Sequence, residues 1–313
     1  MKGLAMRRLF KVLTVPLLLI GLTAAHKEPN REEEGLLGPV RSVSSQMTHR
    51  LLGLDLGEPE TKDRPQQQDL VVYDPKGNEA ERTIYDDYGF LVGKQVSKRD
   101  SDGHPVESIL SDPKGAVMAR YAYVYAGGRL AETVHYDREG KVQLREVNSF
   151  GDQARLSEVT YRTASKAVGK TVYRYDSAGR RSETLYFMPD GSKAIAPIGP
   201  CLGAHRVTFT YDEKGRPHEA VSYEPNGAMK KSWLYAYNDK GLASEEKLED
   251  SYGHTTNTHV YEYDLRGNWI KRTTAMIQRP KIDRMSAEDR KQYPGLMEPR
   301  EARTTIERTI AYY

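Results

Sequence analysis

One five-residue phrase constrains this chain more than any other feature. Tyr-Asp-x-x-Gly occurs at Tyr73–Gly77, Tyr85–Gly89, Tyr136–Gly140, Tyr175–Gly179, Tyr211–Gly215 and Tyr263–Gly267. Glu224 and Asn238 replace the Asp in two further copies, Tyr223–Gly227 and Tyr237–Gly241. Degenerate copies keep the beat at Arg99–Gly103, Ser111–Gly115 and Phe187–Gly191, and Tyr125-Ala126-Gly127-Gly128 is a shortened one. Steps of 12 and 14 residues alternate, as from Tyr211 to Tyr223 to Tyr237. A short unit at a fixed period dictates architecture before any single residue does.

The unit is a turn. Asp at its first position accepts from the backbone two residues on, and Pro75, Pro113, Pro189 and Pro225 preset φ one residue later. Gly then takes the positive-φ position of a type I turn with a bulge. Between turns lie about eight extended residues, a normal strand length. These alternate. Val207, Phe209 and Tyr211 share one face against Arg206, Thr208 and Thr210, and Tyr121, Tyr123 and Tyr125 repeat the scheme. Period two with Tyr, Val and Thr marks strands. The expected fold is all-β: a long antiparallel meander of hairpin repeats, twisted or rolled into a curved sheet or partial β-shell. Its aromatics are expected opposite one another as cross-strand pairs. Tyr (21) outnumbers Phe (5), which suits a half-exposed sheet whose hydroxyls keep a partner or water.

The chain opens like an exported protein. Lys2, Arg7, Arg8 and Lys11 lead into an apolar run, Val12 to Ala25, that closes on Thr23-Ala24-Ala25. This is the signal-peptide pattern over residues 1–25, and the run is short for a membrane span. An uncleaved anchor helix is the alternative, and after cleavage no stable span is expected. Without the leader's four basic residues the formal charge falls from +3 to −1, so the basic pI argues for export rather than for nucleic acid. Residues 26–35 are charged and expected to be disordered. Residues 36–313 read as a single repeat domain, interrupted at 53–68, at 195–204 and by an insertion at about 277–300, where Ser286 is placed to cap a short helical turn. The single cysteine, Cys201, excludes an internal disulfide and leaves pairing between chains open.

The repeat resembles the YD repeat of the bacterial RHS-repeat proteins, most closely over Tyr261–Arg272. Gly38–Val43 is similar to the opening strand of small exported members, and Glu307–Ile310 to their closing one. The resemblance covers most of residues 36–313. It implies a β-shell architecture and, in large relatives, a shell around a toxin or a surface carbohydrate-binding role. The chain departs from the large type. It is too short for a toxin-sized shell and lacks the self-cleaving Asp-Pro-x-Gly-Leu motif, of which Pro294-Gly295-Leu296 is an echo without the Asp.

Candidate chemistry is sparse. Each repeat Asp first shapes its own turn, and calcium needs six or more converging oxygens. Only Asp86-Asp87 and Asp100-Ser101-Asp102 are denser. His254 and His259 lie five apart, so they face opposite sides of one strand, and His104, His135, His205 and His218 are scattered, which is no zinc set. Cys201 beside His205 lacks the third group a thiol nucleophile needs. No catalytic residue, cofactor or metal is assigned. Aromatic rings are the better lead, because they stack on sugar faces. Trp269, close behind a turn, and Trp233, with Tyr261 and Tyr235, are the candidate ligand-contact residues. The leading expectation is a non-catalytic binding or scaffold module at the cell envelope or surface, periplasmic or extracellular, meeting a glycan or a protein. The alternatives are a secreted hydrolase-like enzyme with a carboxylate pair under the 277–300 insertion, and a β-platform that self-associates edge to edge.

Overall fold

The computed structural model describes residues 31, 34–52, 66–86, 88–196, 203–251, 253–281 and 298–313. The proposed signal peptide, Asp87, Cys201 and the Ser286 turn lie outside the described residues. Eighteen strands follow in chain order: β1 (Val40–Leu52), β2 (Gln66–Tyr73), β3 (Glu79–Tyr85), β4 (Leu91–Arg99), β5 (Pro105–Ser111), β6 (Val117–Ala126), β7 (Arg129–Tyr136), β8 (Val142–Phe150), β9 (Leu156–Arg162), β10 (Ala167–Tyr175), β11 (Arg181–Phe187), β12 (Arg206–Tyr211), β13 (Pro217–Tyr223), β14 (Met229–Tyr237), β15 (Ala243–Asp250), β16 (Gly253–Tyr263), β17 (Trp269–Pro280) and β18 (Arg300–Tyr312). One 3₁₀ turn, Asp152–Ala154, joins β8 to β9.

Each strand pairs antiparallel with the next, and β18 pairs with β1 from Val40↔Tyr312 to Leu52↔Glu301. The meander is therefore a closed eighteen-stranded barrel, not the open curved sheet or partial shell expected from the sequence. Nothing local announces closure. It follows from pairing between the two ends of the domain. It also removes the ground for edge-to-edge association, because a closed ring has no free edge strand.

The turns form as the repeat chemistry requires. In the β2–β3 turn, Gly77 N–H donates to the Asp74 carbonyl (2.9 Å) and Asp74 N–H to the Asn78 carbonyl (2.9 Å). The Asp side chain takes the remaining amides: Asp137 accepts from the N–H groups of Glu139 and Lys141, each at 2.9 Å. The turn glycines sit near φ +80 to +90°, for example Gly77 at +89° and Gly215 at +78°. A register shift follows each such turn, as between Val72 and Tyr73.

Strand parity sorts the connections onto two rims. Turns leaving even-numbered strands are short and lie on one rim. The three long connections, β1–β2, β11–β12 and β17–β18, all leave odd-numbered strands and lie on the other. Two interruptions are smaller than the sequence suggests. β2 already starts at Gln66, and β17 runs to Pro280 with Ile277 opposite Glu301, so the last insertion begins after residue 280 rather than at 277. The two ends of the 195–204 interruption are joined, with Ala196 N–H bonded to the Ala204 carbonyl (2.7 Å) and both alanines buried beside Val207.

One face of the wall is systematically more buried. It carries Tyr73, Tyr123, Tyr173, Tyr186, Val207 and Tyr235, together with Ser108, Thr133, Thr171 and Ser222 at 0–1 % exposure. Side chains converge on the concave side of a closed sheet, so this face is the lumen. Cross-strand aromatic pairs, expected along the whole sheet, are confined there, among the described residues, to Tyr263 opposite Trp269 and Tyr121 opposite His135; elsewhere rings mostly face small residues. Tyr123 faces Thr133, Tyr121 faces Ser108, Tyr173 faces Thr184 and Phe209 faces Ala220. A concave wall has little room for adjacent rings, so large and small residues alternate around it. The buried apolar clusters join only neighbouring elements, such as Val43, Val71, Tyr73 and Ile310 on β1, β2 and β18. Among the described residues no single core spans the barrel. A round barrel of eighteen strands measures roughly 35 Å across at the backbone.

Two predictions concern the turns. Gly115 has φ +86° and no atom within 4 Å of where an alanine Cβ would stand, so Gly115→Ala isolates backbone strain. It is expected to cost about 1–2 kcal/mol, whereas Pro113→Ala in the same turn costs about 0.4–1 kcal/mol. Urea unfolding compares them, and a larger loss for Pro113→Ala contradicts the turn assignment. The backbone N–H of Lys141 holds the Asp137 carboxyl below its ordinary value, and that of Arg180 does the same for Asp176. Groups with depressed folded values stabilise above the unfolded carboxylate range and lose that contribution as pH falls through the folded value. The melting midpoint should hold from pH 7 to about 5 and drop below about pH 4. A midpoint at pH 3 equal to that at pH 6 excludes this role for the turn carboxylates.

Candidate functional site

The four aromatic candidates all lie on the lumen wall, on β14, β16 and β17. Tyr235 is buried at 8 %, opposite Glu246. Trp233 is half-buried between Ala220 and Leu248. Tyr261 donates its hydroxyl to the Ala243 carbonyl (2.9 Å). The edge of one ring meets the other between Tyr261 and Trp269, centroids 6.1 Å apart at 70°. Trp269 reaches this wall because the register shift at Tyr263 turns it to the same side as Arg272. The wall thus gathers the four into one sector, but it does not leave them as bare platforms. The Arg308 guanidinium lies 3.5 Å over the Trp269 ring and that of Arg272 at 5.8 Å.

The charged residues of this sector were not singled out by the sequence, since each arrives on a different strand. Arg82 on β3 forms a two-point pair with Glu79 (2.9 and 2.6 Å) and reaches Asp69 on β2 (3.1 Å) and Glu34 (3.8 Å). Arg308 on β18 feels Glu34, Asp69 and Arg272, and burial pulls its guanidinium down to about 10, which leaves it charged at neutral pH. Burial pushes the Tyr73 hydroxyl beside it upward. This charged group therefore spans one concave surface from β17 to β3. His259, buried at 8 %, shares its Nδ1 with Thr274 Oγ1 (2.9 Å) and turns Nε2 toward Glu246 (3.7 Å). His254, five residues earlier, is outside and exposed, as the spacing requires.

The turn carboxylates are spread along the rims. Asp100, Asp102 and His104 lie close enough to share an ion, but Asp100 Oδ1 already accepts from the backbone of Asp102 (3.0 Å) and His104 (2.8 Å), and the group is a turn on the exposed surface. A second rim feature was missed in the sequence: a basic residue beside the turn Gly. Arg180 pairs with Asp176 (2.8 Å) and lies 4.6 Å over the Tyr211 ring, and Arg216 pairs with Asp212 and lies 4.3 Å over Tyr237. Each Tyr hydroxyl then donates back to the preceding strand: Tyr211 to the Arg181 carbonyl (2.7 Å) and Tyr237 to that of Pro217 (2.6 Å). Burial raises the Tyr237 hydroxyl to about 12. The repeat Tyr is thus a rim brace rather than a ligand group.

The outer face carries pairs of opposite charge beside exposed Val96, Val124, Leu234 and Val260. Glu107 lies between Lys98 (2.6 Å) and Arg120 (3.2 Å), and Glu183 between Arg174 (2.8 Å) and Arg206. Glu132 pairs with Arg145 (2.6 Å) and Glu158 with Lys170 (2.9 Å). Among the described residues no helix is long and apolar enough to cross a membrane.

No family model matches the chain, and no curated protein does. Among solved structures it is similar to a porin-like protein from Bacteroides uniformis ATCC 8492, at 11 % identity and a TM-score of 0.41, over 88 % of this chain and 98 % of that one. It is similar to part of the Tc holotoxin pore of Photorhabdus luminescens, at 12 % identity and a TM-score of 0.31, over 75 % of this chain and 16 % of that one. A LolA superfamily protein from Nitrosomonas europaea matches at 10 % identity and a TM-score of 0.18, over 87 % of this chain and 84 % of that one. Likenesses this distant assign neither family nor function.

Proposed function

We propose that this chain is a small exported YD-repeat protein that works as a hollow, water-soluble binding barrel at the bacterial envelope or surface, without catalysis. The observation that carries the reading is the contrast between its two faces. The lumen concentrates rings and guanidinium groups, and the outer wall is laced with ion pairs. A lipid-facing Arg or Lys costs about 2–4 kcal/mol at the bilayer midplane, and the outer strands carry Lys94, Lys98, Arg120, Arg145, Lys170 and Arg206. That surface suits water. The lumen wall suits a ligand that meets aromatic and charged groups together, and an envelope glycan fits it better than a protein surface does. The turn carboxylates shape their own turns, and the lumen carboxylates Glu79 and Asp69 are held by Arg82, an arrangement that favours binding over the free carboxylate pair a hydrolase would need.

The chain without residues 1–25 should fold without detergent and stay in the aqueous phase on detergent phase separation. Transfer to the detergent phase would favour a membrane barrel and sink the water-soluble reading. Both tryptophans line the lumen, so an envelope glycan fraction that binds should shift their emission. Unchanged emission with binding detected by other means would move the site elsewhere.

A further inference from the structure

The guanidinium groups of the lumen wall are unequally satisfied. Arg82 holds the contacts of Glu79, Asp69 and Glu34. Arg308 and Arg272, further along the wall on β18 and β17, make no ion pair within 4 Å among the described residues; Arg272 hydrogen-bonds the Tyr261 hydroxyl, and the Nε of each arginine is buried with no acceptor. The fields of Glu34 and Asp69 reach Arg308 without contact, and Arg272 opposes it. Leaving buried donors of a cation unpaired is costly. Here two such donors sit side by side and flank one indole. Trp269 is in turn fixed by the edge of Tyr261, so the cluster is preorganised.

We propose that Arg308 and Arg272, held around Trp269, form an oxyanion-binding subsite of the lumen, and that the ligand is an acidic saccharide. A carboxylate or phosphate oxygen would meet the Nη ends of the two guanidinium groups, since their Nε atoms are enclosed by the wall, and guanidinium donors match such groups better than an ammonium does. The sugar ring carrying that group would lie against the exposed part of the Trp269 and Tyr261 cluster. The inference rests on the lumen-binding reading and narrows it to one chemical class.

Calorimetric titration of the mature chain tests it, with an oligogalacturonate, a neutral gluco-oligosaccharide of equal length and inorganic phosphate as probes. The acidic oligosaccharide should bind and the neutral one should not. Arg308→Gln and Arg272→Gln should each weaken binding by about tenfold or more, with Arg308→Lys retaining part of it. Phosphate that binds with the same dependence on both arginines supports the oxyanion site and points to a free anion as its source. Equal binding of neutral and acidic oligosaccharides, or less than about a twofold effect of either Gln variant, overturns the oxyanion subsite while leaving lumen binding standing. No binding of any probe overturns the subsite as well. Should a Gln variant fail to fold by circular dichroism, the wild-type salt dependence decides. Affinity for the acidic probe should fall about tenfold or more between low and high salt, and salt-independent binding rejects the proposal.

Discussion

The structure depends on the seam between its two ends. β1 and β18 are the longest strands, thirteen residues each, and they pair over nearly their whole length. Side chains reinforce the backbone ladder there. Asn268, buried at 2 %, accepts from the Leu37 N–H (2.6 Å) and donates to the Leu37 carbonyl (2.9 Å), standing in for a missing strand neighbour. It also donates to the Tyr312 hydroxyl (2.8 Å), which bonds to Asp264, and the Tyr313 hydroxyl reaches the Tyr73 carbonyl. Without this seam the same meander has two long open edges, each a template for aggregation. With it, every strand has two neighbours and one side of the sheet becomes a lumen.

Closure explains the composition of both faces. Curvature crowds the inner face, so most rings have a small residue opposite, which is why Ser108, Thr133, Thr171 and Ser222 are among the most completely buried polar side chains. The outer face spreads its side chains apart, and long Lys, Arg and Glu can pair between strands while meeting water. Individual surface pairs contribute little stability. Their bearing is on solvent preference, and they are the ground for the proposed water-soluble barrel. The rims divide labour as well. Short turns braced by Tyr and Arg fix one mouth, and the long connections collect at the other.

Much of this was legible in the residues. The turn phrase encodes the hairpins, their bulges and the alternation of strands between rims, because Asp and Gly act locally. Gly38–Val43 and Glu307–Ile310 were expected as the opening and closing strands, and the two ends do meet: Val43 opposes Ile310, and Ser44 opposes Thr309. Their pairing was not legible, because no local pattern encodes a contact between residues more than 260 apart. Similar reasoning applies to the candidate site. Trp269, Trp233, Tyr261 and Tyr235 could be picked out as large rings, but Arg82, Arg272 and Arg308 look in the sequence like ordinary strand cations. Only the barrel's curvature brings them to one surface. The alternation of large and small lumen residues was also hidden, since it depends on register across strands and not along them.

Closure is therefore the claim on which the lumen, its proposed site and the reading of the outer wall stand. Ser44→Cys with Thr309→Cys, in a Cys201→Ser background, probes it directly, since residues directly opposite on paired strands fall within disulfide reach. The closed barrel predicts that the pair oxidises within one chain and leaves the folded spectrum unchanged. Thiols that stay free in the folded protein, or that join only between chains, would contradict it.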